Sequence, residues 1–361
     1  MNSADICRHR LHHQKISNPQ LKTPVEILSW LVAIQAQDYA GAKWSLGLRM
    51  QHGTERALEQ SLYEKQILRT WLMRGTLHFV AAGDIKWMLA LLAPKIITGC
   101  ARRYKELELD SHTLLKTNDL LEKALHINLS GKTELLAFIN EHGISTQGQR
   151  AAYILQRASL DGIICQNVLI RNVPNYTLLD FLPETNPKTR SEALAELAKR
   201  YFTSRGPATL QDFVWWSGLS VADAKTGLEA SLNHLVPVTI HEQTYYLSQN
   251  VRSNSQEDTL IHLLPGFDEY LLGYKNRFAS LAQEHNLIWC PGNNGMFMPY
   301  LVIDGKMAGT WKRTVKKNAV DIEINPFKSP DKKQQKLIEF ASGRYRNYLD
   351  VPPGSGVSEE K

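Results

Sequence analysis

One local order recurs three times along this chain of 361 residues, and it limits the folds open to it. Each copy reads as helix, helix, helix and then two short strands. The third copy is the clearest. Leu194, Leu197, Ala198 and Tyr201 repeat at helical spacing and stop before Gly206-Pro207. Thr209, with Asp212 three residues on, caps a short helix that ends at Gly218. Ser220, with Asp223, caps the next, Val221 to Leu232. Residues 235–240 and 244–247 then read as a hairpin. The middle copy has a helix over 133–140, a longer one opened by Ser145-Thr146-Gln147-Gly148 and running to Leu160, and strands over 163–169 and 176–180 around Asn172. The first copy starts at Thr23-Pro24, an N-cap followed by Pro at the first helical position. Further helices follow Gly41 and Thr54, and strands 67–71 and 76–80 flank Met73-Arg74-Gly75. Three helices followed by a hairpin is the order of a winged helix, a helix-turn-helix with a β-wing.

After residue 256 the texture turns to strands: 260–264, a hairpin 298–303 and 307–311 across Asp304-Gly305-Lys306, and 320–324. A helix over 332–348 closes the chain ahead of a disordered Pro/Gly/Ser/Glu tail. The expected fold class is α+β, with tandem winged-helix units over 1–110, 111–190 and 191–255. A C-terminal β-barrel-like domain over 256–350 and a tail over 351–361 complete it.

With 43% hydrophobic and 22% charged residues, each unit has the material for a core. A net charge of +6 suits a polyanionic partner such as nucleic acid, and equally a mildly basic enzyme. The four cysteines form no CxxC pair and no metal-ligand cluster, which reads as reduced intracellular thiols. The first ten residues carry no apolar core of the kind a signal peptide needs, and the sequence shows no apolar run of the roughly 18 residues that crosses a membrane and no Gly-rich phosphate loop. A cytoplasmic monomer without metal, nucleotide or other cofactor is expected.

Gln35 and Gln37 flank Ala36 where the first helix ends. On a continuous helix they would stand about 200° apart. They can act together only if the chain leaves the helix there, because residues i and i+2 share a side in extended backbone. Solvated helix-forming glutamines are the plain alternative. Asp38, next in line, suits a cap or a supporting role.

The stretch Ile34-Gln35-Ala36-Gln37-Asp38, followed by Lys43-Trp44-Ser45-Leu46-Gly47-Leu48-Arg49, resembles the AlkZ-type winged-helix DNA glycosylases. So do Arg69-Thr70-Trp71-Leu72-Met73-Arg74-Gly75-Thr76-Leu77-His78-Phe79, the run from Leu263 to Tyr274 and the run from Asp304 to Arg313. These landmarks span residues 25–330 in family order. The resemblance implies tandem winged helices and a C-terminal β-domain around a DNA channel. It implies removal of alkylated bases, interstrand crosslinks among them, with a glutamine–apolar–glutamine signature that falls on Gln35, Ala36 and Gln37. The chemistry is consistent. An N3- or N7-alkylated purine is already cationic, so a neutral amide pair that orients water suffices. Nothing marks a depressed-pKa lysine for a Schiff base, so the expected enzyme is monofunctional on damaged double-stranded DNA.

Lys43, Trp44, Arg69 and Arg74, with His78 in support, are the candidate DNA contacts near the glutamines. Lys312 and Arg313, close to Lys316-Lys317, form the strongest basic run. Trp71, Trp215, Trp216 and Trp311 read as core, and Asp268-Glu269 as a pair that positions a loop. The rival is a non-catalytic DNA binder or transcription regulator. Its recognition helix would be Val221 to Leu232, which has Asp223, Lys225, Thr226 and Glu229 but no arginine for base readout.

Overall fold

Thr23 starts the first of the three patterned helices as its sequence dictates. Its hydroxyl accepts from the Glu26 amide, and the Glu26 carboxylate accepts from the Thr23 amide. The helix Pro24–Leu31 then stops abruptly at Val32, whose φ is +69°. A β-branched residue rarely takes a positive φ, and holding it there costs about 1–3 kcal/mol. The break turns the chain into extended backbone, so the glutamine pair leaves the helix.

In this computed structural model the structure describes residues 2–170, 173–183, 186–240, 242–249, 259–316 and 319–350. The strands are β1 (Ala33–Gln35), β2 (Ile67–Leu72), β3 (Thr76–Ala81), β4 (Ile164–Ile170), β5 (Val173–Leu178), β6 (Leu235–Ile240), β7 (Gln243–Ser248), β8 (Ile261–Leu264), β9 (Tyr300–Ile303), β10 (Lys306–Val315) and β11 (Val320–Pro326). The hairpins of the first two copies join into one five-stranded sheet, in the order β1-β3-β2-β4-β5. The junction is β2 against β4, with Arg69 opposite Gln166. The β6–β7 hairpin forms its own two-stranded sheet.

Caps decided most helix limits. Thr209 and Asp212 exchange hydrogen bonds at the start of Leu210–Ser217, and Gly218 ends that helix with φ +72°. The last helix, Lys332–Tyr348, matches its expected span. Two starts differ. Asp38, not Gly41, begins the helix Tyr39–Gly47, because its carboxylate accepts from the Gly41 amide. The long middle helix begins at Arg150, after a turn over 147–149. Asn172, Lys317 and the tail 351–361 lie outside the described residues.

The C-terminal region is not a closed barrel. β11, β10, β9 and β8 form an open four-stranded antiparallel sheet, and the helix Lys332–Tyr348 packs on it at β8. Four short strands are too few to curl round and meet, since small barrels use about eight. The sheet buries its inner face against the first segment instead. Ile34 and Phe79 share a core with Tyr300, Trp311 and Ile322. Asp304 and Gly305 have φ +49° and +81°, as the D-G signal for a tight hairpin requires. Trp215 departs from expectation: it is 42% exposed, whereas Trp216 and Trp311 are buried.

Three buried histidines set the acid response. Burial, with neighbouring positive charge, lowers His13 and His262 to about 3 and His78 to about 4. They stay neutral in the fold, while an unfolded chain takes up protons near pH 6.5. Stability therefore falls as pH drops from about 6.5 towards 4, by up to roughly 1.4 kcal/mol per pH unit for each histidine. Denaturant midpoints measured across that range should fall steadily. A constant midpoint would contradict neutral burial.

Candidate active site

After Val32 the chain is extended over Ala33–Gln35 and bends at Gln37, so neither glutamine lies in a helix. Gln35 lies opposite His78 on β3, and His78 lies opposite Thr70 on β2, so the three form a polar row on one sheet face. Gln35 is 6% exposed, whereas Gln37 is exposed. The Gln37 Oε1 accepts from the Leu77 amide at 3.4 Å, and the Ala36 amide donates to the Leu77 carbonyl at 2.7 Å. The pairing of β1 thus continues beyond Gln35 and fixes the second glutamine.

Four buried or half-buried side chains hold this segment. Glu269 Oε1 accepts from the Gln35 amide at 3.1 Å. Its Oε2 accepts from Arg205 at 2.7 and 3.1 Å and from the Trp216 indole at 2.8 Å. Arg205 also donates to the carbonyls of Leu31 and Ala33, on either side of Val32, at 2.8 and 3.0 Å. Arg69 forks onto the Ala36 carbonyl at 2.8 and 3.0 Å and reaches Gln166 Oε1 at 2.6 Å. Arg74 donates to Gln35 Oε1 at 3.4 Å and to the Trp216 carbonyl. The first and third copies and the segment after β8 therefore converge on Gln35.

Charges here are settled by these contacts. Burial pushes the Glu269 carboxyl up, but Arg205 and the hydrogen bonds it accepts override that and hold it below the usual range. Burial and the Arg74 charge depress His78, whose Nδ1–H donates to the Thr76 carbonyl at 2.9 Å while Nε2 is buried without a partner. Among the described residues no group of His, Cys, Asp and Glu could hold a metal ion. What the segment offers chemically is two neutral amides, each a donor and an acceptor, beside a guanidinium.

Several expected contacts are committed elsewhere. Lys43 is buried and paired with Glu55 and Glu59, so its charge is neutralised within the protein. Trp44 is 4% exposed, donates to the Leu263 carbonyl at 2.7 Å and packs on Tyr345 and Tyr348, which leaves it no face for DNA. Arg69 is buried and supports the motif rather than a phosphate. Asp38 serves as the cap described above. Lys312 pairs with Glu323 at 2.6 Å on the sheet surface, and Arg313 next to it is half-buried, 5.5 Å from the Tyr345 ring. Sequence reasoning did not find Arg205. It noticed Glu269 only as half of an acidic pair. Both halves anchor buried arginines, Asp268 binding Arg49 at 2.8 Å.

Comparisons with known proteins match most of the chain. A family described as DNA glycosylase AlkZ-like matches residues 28–348. A relative from Streptomyces sahachiroi, named interstrand DNA cross-link repair glycosylase, is 24% identical over 97% of this chain and 95% of its own length. The solved structure of Streptomyces sahachiroi DNA glycosylase AlkZ superposes with a TM-score of 0.80 at 19% identity, covering 100% of both chains. With its family match running from the first patterned helix into the last helix, the chain belongs to the AlkZ-like DNA glycosylases.

Proposed function

We propose that this protein is a monofunctional DNA glycosylase that hydrolyses the N-glycosidic bond of cationic N3- or N7-alkylated purines in damaged duplex DNA, interstrand crosslinks included. Gln35 and Gln37 orient the attacking water. The three helix-plus-hairpin copies act as winged-helix units over 1–110, 111–190 and 191–255, and with the segment 256–350 they border the DNA. The protein works as a cytoplasmic monomer without cofactor. The supporting observation is that the backbone of Gln35 and Ala36 is held by Glu269, Arg69 and Leu77. That much anchoring is unneeded for solvated surface glutamines and fits preorganised catalysis. Among the described residues no helix is long and apolar enough to cross a membrane.

The direct test is base release from a duplex carrying an N7-alkylguanine. Release establishes the glycosylase. Sequence-specific binding with no release would establish the regulator.

The mechanism carries its own pH signature. Amides do not titrate, His78 is neutral above about 4, and Glu269 stays ionised above its lowered value. The release rate should therefore be level between about pH 5.5 and 8, where a carboxylate or imidazole base would show an inflection. A single-turnover pH profile with a clear step in that window would rule out water oriented by amides alone.

Electrostatic contact should follow the remaining free charges. Replacing Lys43 by Met should leave the salt dependence of DNA binding unchanged, because its charge is already paired. Replacing Arg313 by Met should reduce the slope of log K against log salt by about 1, the loss of one phosphate contact. Equal slopes for both variants would remove Arg313 from the DNA path.

A further inference from the structure

The stretch from Asn286 to Met298 exposes more apolar surface than a solvated loop normally does. Leu287 and Met296 are each 62% exposed, Ile288 41% and Met298 39%. Beneath them the stretch is rigidly seated. Trp289 is buried and stacks on Phe297 with centroids 4.3 Å apart, and the Met298 amide donates to the Trp289 carbonyl at 2.8 Å. Phe297 packs edge-on against Phe267 at 5.2 Å. Gly266 lies so close that a Cβ there would come within 1.9 Å of the Phe297 carbonyl oxygen. The two methionines therefore flank an anchored aromatic.

Two separate routes connect this surface to the glutamine pair. Pro265, next to Gly266, lies against Gly41 in the helix that begins directly after Gln37. On the other side, the Arg277 guanidinium sits 5.2 Å from the Trp289 ring and 5.6 Å from the exposed Trp215 ring. The Trp215 carbonyl accepts from Arg74 at 3.4 Å, and Arg74 reaches Gln35. Arg277 is half-buried, its Nε donates to the Leu271 carbonyl at 2.8 Å, and burial lowers its guanidinium to about 10 against the opposing charge of Asp212.

We propose that Met296 and Met298, with Leu287 and Ile288 beside them, enter the base stack next to the damaged nucleotide while Arg277 holds a flanking phosphate. The inference rests on the proposed glycosylase reading and adds how the duplex is opened. Opening the step beside the lesion gives water held by Gln35 and Gln37 access to the damaged sugar, for a base tied to the opposite strand as well as for a free one. Apolar side chains pushed between base steps do this in proteins that kink DNA. The duplex matches the surface in kind: flat apolar base faces edged by anionic phosphates, against apolar tips edged by arginines. A lipid or protein partner would have no use for the adjoining glutamine pair.

The test places 2-aminopurine beside a stable abasic-site analogue in a duplex and reads its fluorescence at saturating protein. The wild type should raise the signal. The Met296→Gln/Met298→Gln variant should lose most of the rise. Base release by that variant should fall about tenfold or more on duplex yet stay within about twofold on single-stranded DNA carrying the same lesion, which has no stack to open. A Leu287→Gln/Ile288→Gln variant gives a second reading, and thermal midpoints check that each is folded. An undiminished fluorescence rise in both variants, or equal losses on duplex and single strand, would overturn the proposal. The glycosylase reading fails separately: wild type that unstacks the probe but releases no base keeps this surface and loses the enzyme.

Discussion

Alanine at both Gln35 and Gln37 should lower single-turnover base release from an N7-alkylguanine duplex by about a hundredfold or more, with DNA affinity almost unchanged. The magnitude follows from the role. Orienting one water is an entropic and geometric contribution, and misplacing a reacting group by about 1 Å already costs about a hundredfold. The residual rate should exceed that of free DNA, because a cationic purine leaves readily once its surroundings are dry. Asymmetry is expected within the pair. Gln35 is gripped by Arg74 and nearly buried, so its loss also frees Arg74 and should disturb the site more widely. Gln37 is exposed and gives up only its bond from the Leu77 amide, so its loss should disturb the surrounding structure less. Single-turnover rates for the two single variants and the double would show the two acting as a unit, with the double little worse than the worse single. A double variant that releases base at the wild-type rate would show that the water is held by something else.

Removing Glu269 should be the most damaging single change to the fold near the site. Glu269→Ala leaves the Arg205 guanidinium fully buried and without its counter-charge, and strips the acceptor from the Gln35 amide and the Trp216 indole. Breaking one side of a buried pair typically costs about 3–5 kcal/mol, and the orphaned amide and indole add to it. The denaturant midpoint should fall accordingly, and release should be lost even where the variant remains folded. Glu269→Gln should recover part of the stability, since its single carbonyl oxygen can still accept from the indole or from the Gln35 amide, though not from both. Arg205→Met combined with Glu269→Leu should be less destabilised than Glu269→Ala, because no lone charge remains. If Glu269→Ala costs no more than a surface substitution, the convergence at this carboxylate has no energetic weight.

How much of this was legible beforehand follows from the range of each interaction. Caps act over three or four residues, so Thr209 with Asp212, and Gly218 after them, announced a helix and its end correctly. The exit of Gln35 and Gln37 from the helix could be required by their spacing, though not its cause at Val32. The open C-terminal sheet was harder. Hairpin signals identify neighbouring strands, but closure depends on what else covers the free face, here Ile34 and Phe79 from far earlier in the chain. The same reason hid the partners of Lys43, Trp44 and Arg69. Local sequence shows a basic and aromatic cluster near the glutamines; only the fold shows Glu55 and Glu59 taking Lys43, the Leu263 carbonyl taking the Trp44 indole, and the Ala36 carbonyl taking Arg69. Glu269 was visible as an acid but its partner, 64 residues earlier, was not.

Val32 ties these threads to the history of the chain. A residue that prefers negative φ is kept at the corner by Arg205 gripping a carbonyl on each side, and Arg205 is in turn kept by Glu269. Such a corner is a loaded latch. Loosening either remote piece should let the helix run on toward Gln35, carrying the two amides to opposite faces. Reactivity and folding are thus linked through one bend, and lineages that drift toward greater thermal robustness by easing that bend should be those that lose repair first.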